Sequence, residues 1–139
     1  MMKIRKIIVL CLVLLLFCGM PLNVIATVPD TVQPRFTYID RVTAGLSIDM
    51  LWGVATCTGS MSTSYNRNVK VVVRLLQLKN GKWEELRSWQ GTGQMSCEAS
   101  GTYAVARGYT YCTDVTAYIY NSEGMVVESG TTQKTVVFP

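Results

Sequence analysis

The chain has 139 residues and no histidine. That absence removes Ser–His and Cys–His nucleophile pairs and the commonest side-chain ligand of zinc and copper. No CxxC occurs, so any disulfide formed would be structural rather than redox-active. Acidic residues are few, nine in all, and Glu84–Glu85 is the only adjacent pair. Neighbours on a strand point to opposite faces, so these two carboxylates cannot readily meet one substrate and read as solvated surface. Gly91-Thr92-Gly93 resembles a phosphate loop only superficially, because no helix follows it. Lys/Arg clusters with interleaved aromatics are also missing, which argues against a nucleic-acid partner. No catalytic residue, metal site or cofactor is expected, and the chain reads as a non-enzyme.

Long apolar runs are missing too, apart from one at the start. Lys3, Arg5 and Lys6 precede an unbroken apolar stretch from Ile7 to Phe17, and Pro21, Val24 and Ala26 follow. This is the pattern of a secretory signal peptide over residues 1–26, with its helical apolar segment and a cut between Ala26 and Thr27. A membrane anchor would need about 18 or more apolar residues, and Gly19, Pro21 and Asn23 interrupt the run too early. A lipoprotein cut at Cys18 is disfavoured by Phe17, which stands where a small residue is wanted. Without residues 1–26 the charge falls from +4 to +1, ten cations against nine acids, so the basic pI of about 8.9 carries no functional message. The remaining 113 residues suit one secreted, extracellular domain with a modest core. No second apolar run ties the chain to a membrane after cleavage. Of five cysteines, Cys57, Cys97 and Cys112 lie beyond the signal and enter an oxidising compartment.

What remains is rich in strand formers. Tyr109–Tyr120, YTYCTDVTAYIY, has no Pro or Gly and alternates between two faces. Tyr109, Tyr111, Thr113, Val115, Ala117 and Ile119 form the apolar face, and Thr110, Cys112, Asp114, Thr116, Tyr118 and Tyr120 the polar one. It reads as a central antiparallel strand. Residues 27–35 read as a flexible lead-in, and 36–139 as the domain. A first strand carrying Leu46 and Ile48 is expected after an Ala44–Gly45 bend, and a second over Trp52–Met61. Val69–Leu78 is the most hydrophobic, and Asn80–Gly81 is the preferred pair for a tight hairpin because both residues tolerate positive φ. Trp83–Trp89 returns with untidy parity that a bulge would explain. Gln94–Ala99, Tyr109–Tyr120 and Met125–Val137 complete the set, with a turn at Asn121–Gly124. About seven strands with regular turn signals predict an all-β fold, an antiparallel immunoglobulin/fibronectin-like β-sandwich. Tyr109 or Tyr111 could supply the tyrosine corner of such folds.

Several segments follow one another in a suggestive order: Pro34-Arg35-Phe36-Thr37-Tyr38-Ile39, Ala44-Gly45-Leu46-Ser47-Ile48, Ala55-Thr56-Cys57-Thr58-Gly59-Ser60, Trp83 with Arg87-Ser88-Trp89, Gly108-Tyr109-Thr110-Tyr111, and Val126-Val127-Glu128-Ser129. Together they resemble a family of small secreted proteins of Gram-positive bacteria with no assigned function. The resemblance covers nearly the whole of the chain beyond the signal. It implies secretion and a sandwich fold, and brings no catalytic residues with it.

Two constellations merit weighing. Cys57 points inward by alternation, and Cys97 lies inward on the expected neighbouring strand, so a Cys57–Cys97 disulfide is favoured. Cys57–Cys112 is the alternative if a bulge shifts parity, and three unpaired thiols are the third possibility. The aromatics are the better functional lead. Tyr118 and Tyr120, with Trp83, could stack on sugar rings, while Asp114, Thr116 and Arg74 hydrogen-bond hydroxyls. Set against this, aromatics also cover sheets simply as strand formers. The same patch, with Val72 and Leu76, could equally be a protein interface. The expected partner is a cell-envelope polysaccharide or an extracellular protein.

Overall fold

The computed structural model of the chain describes residues 35–139, which lie within one compact unit, Gln33–Pro139. The expected signal peptide (1–26) and nearly all of the lead-in lie outside the described residues. Seven strands follow in order: β1 (Arg41–Asp49), β2 (Val54–Ser62), β3 (Asn68–Lys79), β4 (Lys82–Gln94), β5 (Ser96–Ala104), β6 (Tyr109–Tyr120) and β7 (Val126–Phe138). They form two antiparallel sheets, β1-β2-β5 and β4-β3-β6-β7. The fold is therefore all-β and two-layered, as expected from the alternating pattern and turn spacing.

The core lies between the sheets and is made by one parity of each strand. β3 contributes Val69, Val71, Val73 and Leu75, and β6 contributes Tyr111, Val115, Ala117 and Ile119. Leu46, Ile48, Ala55, Cys57 and Met61 face them from the three-stranded sheet. β6 sits between β3 and β7, and from Tyr111 onward its odd face is fully buried. This is the central strand the sequence suggested, with the same bounds. Its even face is more enclosed than alternation implies. Cys112 and Asp114 are buried there, because side chains of the flanking strands β3 and β7 close over them.

The Asn80–Gly81 turn is formed with φ of 52° and 74° at its two residues, the left-handed values this hairpin requires. The untidy parity of the returning strand resolves as a bulge. β3–β4 register slips between Leu75 and Leu76, leaving Leu86 as the extra residue. Trp83 pairs with Leu78 on the outer face, whereas Trp89 pairs with Val73 on the inner one. Trp89 lies flat against Gly101 of β5, where its ring leaves no room for a Cβ. One bulged residue thus sends two tryptophans of one strand to opposite faces.

Several boundaries differ from expectation. β1 runs straight through Ala44–Gly45 rather than bending there, since both pair with Gly59 and Thr58 of β2. Trp52 does not open β2; it stands in the β1–β2 turn, 77% exposed. Asp49 caps that turn with its side chain and carbonyl, which stops the strand before Trp52 is reached.

Candidate functional site

The β2–β3, β4–β5 and β6–β7 connections meet at one end of the domain, together with the segment entering β1. The opposite end carries the β1–β2, β3–β4 and β5–β6 turns and the end of β7. At the first end lies a cleft of about 380 Å³ lined by Asn66, Arg67, Asn68, Gln94, Tyr120, Asn121 and Ser122. Its lining combines four side-chain amides, one guanidinium, one hydroxyl and one phenol, with no carboxylate.

Each part is placed by local chemistry. Asn121 folds the β6–β7 turn around its own side chain: Oδ1 accepts the N–H groups of Glu123 (3.0 Å) and Met125 (2.9 Å). This is the Asx-type turn that short amides favour. Thr63 plays the same part in the β2–β3 connection, where its hydroxyl donates to the Tyr38 carbonyl at 2.6 Å and accepts Tyr65 N–H at 3.1 Å. Arg67 is held from two sides. Its carbonyl accepts Met95 N–H at 3.0 Å, and its guanidinium lies 4.8 Å above the Tyr38 ring. Tyr38 in turn meets Tyr65 edge-on, with ring centroids 5.2 Å apart. This cation–π contact helps hold the guanidinium in place and takes none of its N–H groups.

The sequence-predicted residues do not gather in one place. Tyr120 lines the cleft. Tyr118 shares its face of β6 and sits half-buried opposite Lys70 and Ser129. Trp83 pairs with Leu78 while Tyr118 pairs with Lys70. Eight positions of β3 separate those two rows, roughly 26 Å at strand rise, so Trp83 and the tyrosines cannot touch one sugar. Asp114 is not open to a ligand. Its side chain is 4% exposed, Arg74 bonds its Oδ2 through both Nε (3.1 Å) and Nη2, and Gln133 Nε2 donates to Oδ1 at 2.7 Å. Alternation located the right face of β6 but could not show that neighbouring strands consume the carboxylate. The residues that sequence reasoning missed, Asn66, Arg67, Asn68, Gln94, Asn121 and Ser122, come from three connections far apart in the chain. The Asn-rich run 66–68 was the available signal, and it reads only as a polar loop until the fold brings Tyr120 beside it.

The expected Cys57–Cys97 disulfide is not formed; the three described cysteines are free thiols. Both do point inward on adjacent strands, but register pairs Cys57 with Gly101 and Cys97 with Met61. Four residues of offset is about 13 Å along a strand, well beyond the roughly 4 Å between bridged Cβ atoms. Burial raises all three thiol pKa values. Cys97 reaches about 11 despite a hydrogen bond with Val71 backbone. The Cys57 value rises by burial and falls slightly through Thr113. At Cys112 burial and the nearby Asp114 charge raise it, against hydrogen bonds with Thr135 and Lys134. All three favour the protonated, weakly nucleophilic form at neutral pH. Among the described residues no cluster of three or more His, Cys, Asp or Glu could hold a metal ion.

No family model and no curated protein sequence matches the chain. Among solved structures, the sporulation control protein Spo0M of Bacillus subtilis is similar to it at a TM-score of 0.42 and 11% identity. The match covers 74% of this chain and 49% of Spo0M, so this chain spans about half that protein's length.

Proposed function

We propose that the chain is a secreted, non-enzymatic binding module of the bacterial cell envelope, and that the amide-lined cleft holds polysaccharide, preferentially one bearing anionic groups. The observation that carries this reading is the lining itself: Arg67 and four amides beside the Tyr120 ring, with no carboxylate to repel an anion. Amides both donate and accept, matching sugar hydroxyls. A guanidinium presents paired N–H groups to a carboxylate or phosphate. A half-exposed tyrosine supplies the flat apolar surface on which a sugar ring rests. This keeps Tyr120 from the sequence-based lead, leaves Tyr118 as a flanking contact, and drops Asp114 and Trp83 from the ligand.

The same reading takes the scaffold to be of immunoglobulin/fibronectin type. Two features support it. The sheet order β1-β2-β5 against β4-β3-β6-β7 is that of a seven-strand sandwich with the fourth strand on the larger sheet. Tyr111, near the start of β6, folds its hydroxyl back onto Ala106, donating to its carbonyl at 2.7 Å and accepting its N–H at 3.0 Å, as a tyrosine corner does.

The test is retention on insoluble peptidoglycan and on neutral and uronate-bearing polysaccharides, with Tyr120→Ala/Gln94→Ala beside the wild type. The reading expects wild-type retention that is strongest on the anionic polymers and falls about tenfold, some 1.4 kcal/mol, in the double variant. Equal retention of both proteins, with unchanged melting, would overturn it.

A further inference from the structure

The end of the domain opposite the cleft carries a feature that polysaccharide binding does not use. Met50, Leu51 and Trp52 project side by side from the β1–β2 turn, 46%, 79% and 77% exposed. Three successive large apolar side chains in water are costly, at about 25 cal/mol per Å² of apolar surface, and core packing gives no reason for them.

The turn beneath them is rigidly built. Asp49 Oδ1 accepts Leu51 N–H at 2.9 Å and Trp52 N–H at 3.0 Å, while the Asp49 carbonyl accepts Gly53 N–H at 2.8 Å. Gly53, at φ 65°, turns the chain into β2, and its carbonyl accepts Val105 N–H at 2.8 Å. From the β5–β6 turn, Arg107 donates to the Met50 carbonyl and lies 4.8 Å over the Phe138 ring. Val137, 62% exposed, adds another apolar side chain at this end.

We propose that this tip docks on the surface of a lipid bilayer, with Leu51 and Trp52 entering the interfacial layer and Met50 at their side. Three observations favour lipid over a protein partner. Leu51 and Trp52 are each more than three-quarters exposed, so they stand out from the domain and can enter a soft phase. Three consecutive tip N–H groups and the Met50 carbonyl are already bonded within the protein, which is what a poorly hydrated medium demands of backbone. Tryptophan is the residue most at home at a membrane–water boundary, where one edge is apolar and the indole N–H stays wet. Arg107 beside the tip suits lipid phosphate. Lys79 and Lys82 on the β3–β4 hairpin stand at the same end, with Glu84 and Glu85 further down β4. Three residues are far too few for an apolar-run search to register. On this proposal the contact is peripheral and reversible rather than an anchor, which departs from the sequence-based expectation of no membrane contact beyond the signal.

The test uses the full chain and vesicles of phosphatidylcholine with phosphatidylglycerol, comparing wild type with Leu51→Ser/Trp52→Ser. The leading apolar stretch is common to both proteins, so the difference between them reads the tip alone. Because both replaced side chains are solvent-facing, melting should be unchanged. The expected result is about a tenfold loss of vesicle affinity in the variant. In addition, lipids brominated in their acyl chains should quench wild-type tryptophan emission more than that of Trp52→Phe, which keeps an apolar ring but removes the reporter. Equal affinity of wild type and double variant overturns the proposal, as does equal quenching of wild type and Trp52→Phe; either would leave the tip to a protein partner.

Discussion

At the scale of single residues, the Tyr111 hydroxyl ties the β5–β6 turn to the paired strands β3 and β6. It donates to the Ala106 carbonyl, accepts Ala106 N–H, and accepts Gln77 Nε2 at 3.2 Å. Tyr111→Phe keeps the buried ring and removes all three bonds. It should cost about 1–2 kcal/mol, because Ala106 loses its partner and the corner loosens. Urea unfolding would show this as a lower midpoint with an unchanged slope; an unchanged midpoint would mean the corner is ornamental. Two residues on, Thr113 is buried with a hydroxyl that finds no well-formed hydrogen bond. It faces the Cys57 thiol across the inter-sheet space, close enough to lower that thiol's pKa against the larger effect of burial. On the immunoglobulin-type reading proposed above, Thr113 stands where such domains carry the cysteine of the inter-sheet bridge, two places after the corner tyrosine. The Thr113→Cys variant should accordingly oxidise to a disulfide between Cys57 and the thiol introduced at position 113, worth about 2–4 kcal/mol of stability. Mass spectrometry of the oxidised protein would show the loss of two hydrogens and a peptide linked through positions 57 and 113. Persistence of both thiols after oxidation would show that the two sheets stand too far apart there.

At the scale of elements, the segment before β1 is held by a clasp rather than by a strand. Glu128 of β7 accepts the N–H groups of Thr37 (2.6 Å), Tyr38 (2.8 Å) and Ile39 (2.7 Å). Phe36 lies over Gly130, where a Cβ would come within 2.5 Å of its ring. Desolvation raises the Glu128 pKa, but the three backbone bonds outweigh it and leave the carboxyl below its ordinary value. The unfolded chain, with a glutamate pKa of about 4.3, then binds the proton more readily. The clasp's contribution is therefore complete above that pH and is lost as pH falls through the lower folded value. Glu128→Gln should make the amides of residues 37–39 exchange faster at neutral pH, and the stability gap between wild type and variant should close in acid. A gap that does not narrow at all as the solution is made acidic would assign the effect to packing instead. Such long-range clasps are what the sequence could not disclose. The strands were legible where β-favouring residues alternate with one consistently apolar face, as in β3 and β6, and so were the Asn80–Gly81 and Asn121–Gly124 turns, whose chemistry is local. Parity went astray in β4, where a single bulged Leu86 changes the facing of every later residue. It also misled at Cys57 and Cys97, since alternation gives the face but not the register. The cleft was illegible because its residues come from three separate connections and become neighbours only when both sheets close.

At the scale of the molecule, the two proposed contacts lie at opposite ends of the strands. The turns that hold Arg67 and Asn121 flank one end of β6, and the turn that holds Arg107 flanks the other. The twelve residues of β6 span roughly 40 Å at strand rise. Two packed sheets make a stiff spacer of that length, because bending it would disturb a core shared by all seven strands. A module of this shape can hold a glycan and a lipid surface at once without the sites competing. The expectation is additivity. Leu51→Ser/Trp52→Ser should leave polysaccharide retention unchanged, and Tyr120→Ala/Gln94→Ala should leave vesicle affinity unchanged, as expected of distant sites with no common partners. A mixture tests both ends together: fluorescent vesicles should co-sediment with an insoluble anionic polysaccharide only when wild-type protein is added, and neither double variant should carry them down. If single-site binding survives in both variants but wild type fails to bridge, the two surfaces are not presented simultaneously. If a tip variant still bridges, the lipid contact lies elsewhere on the domain and the tip has some other partner.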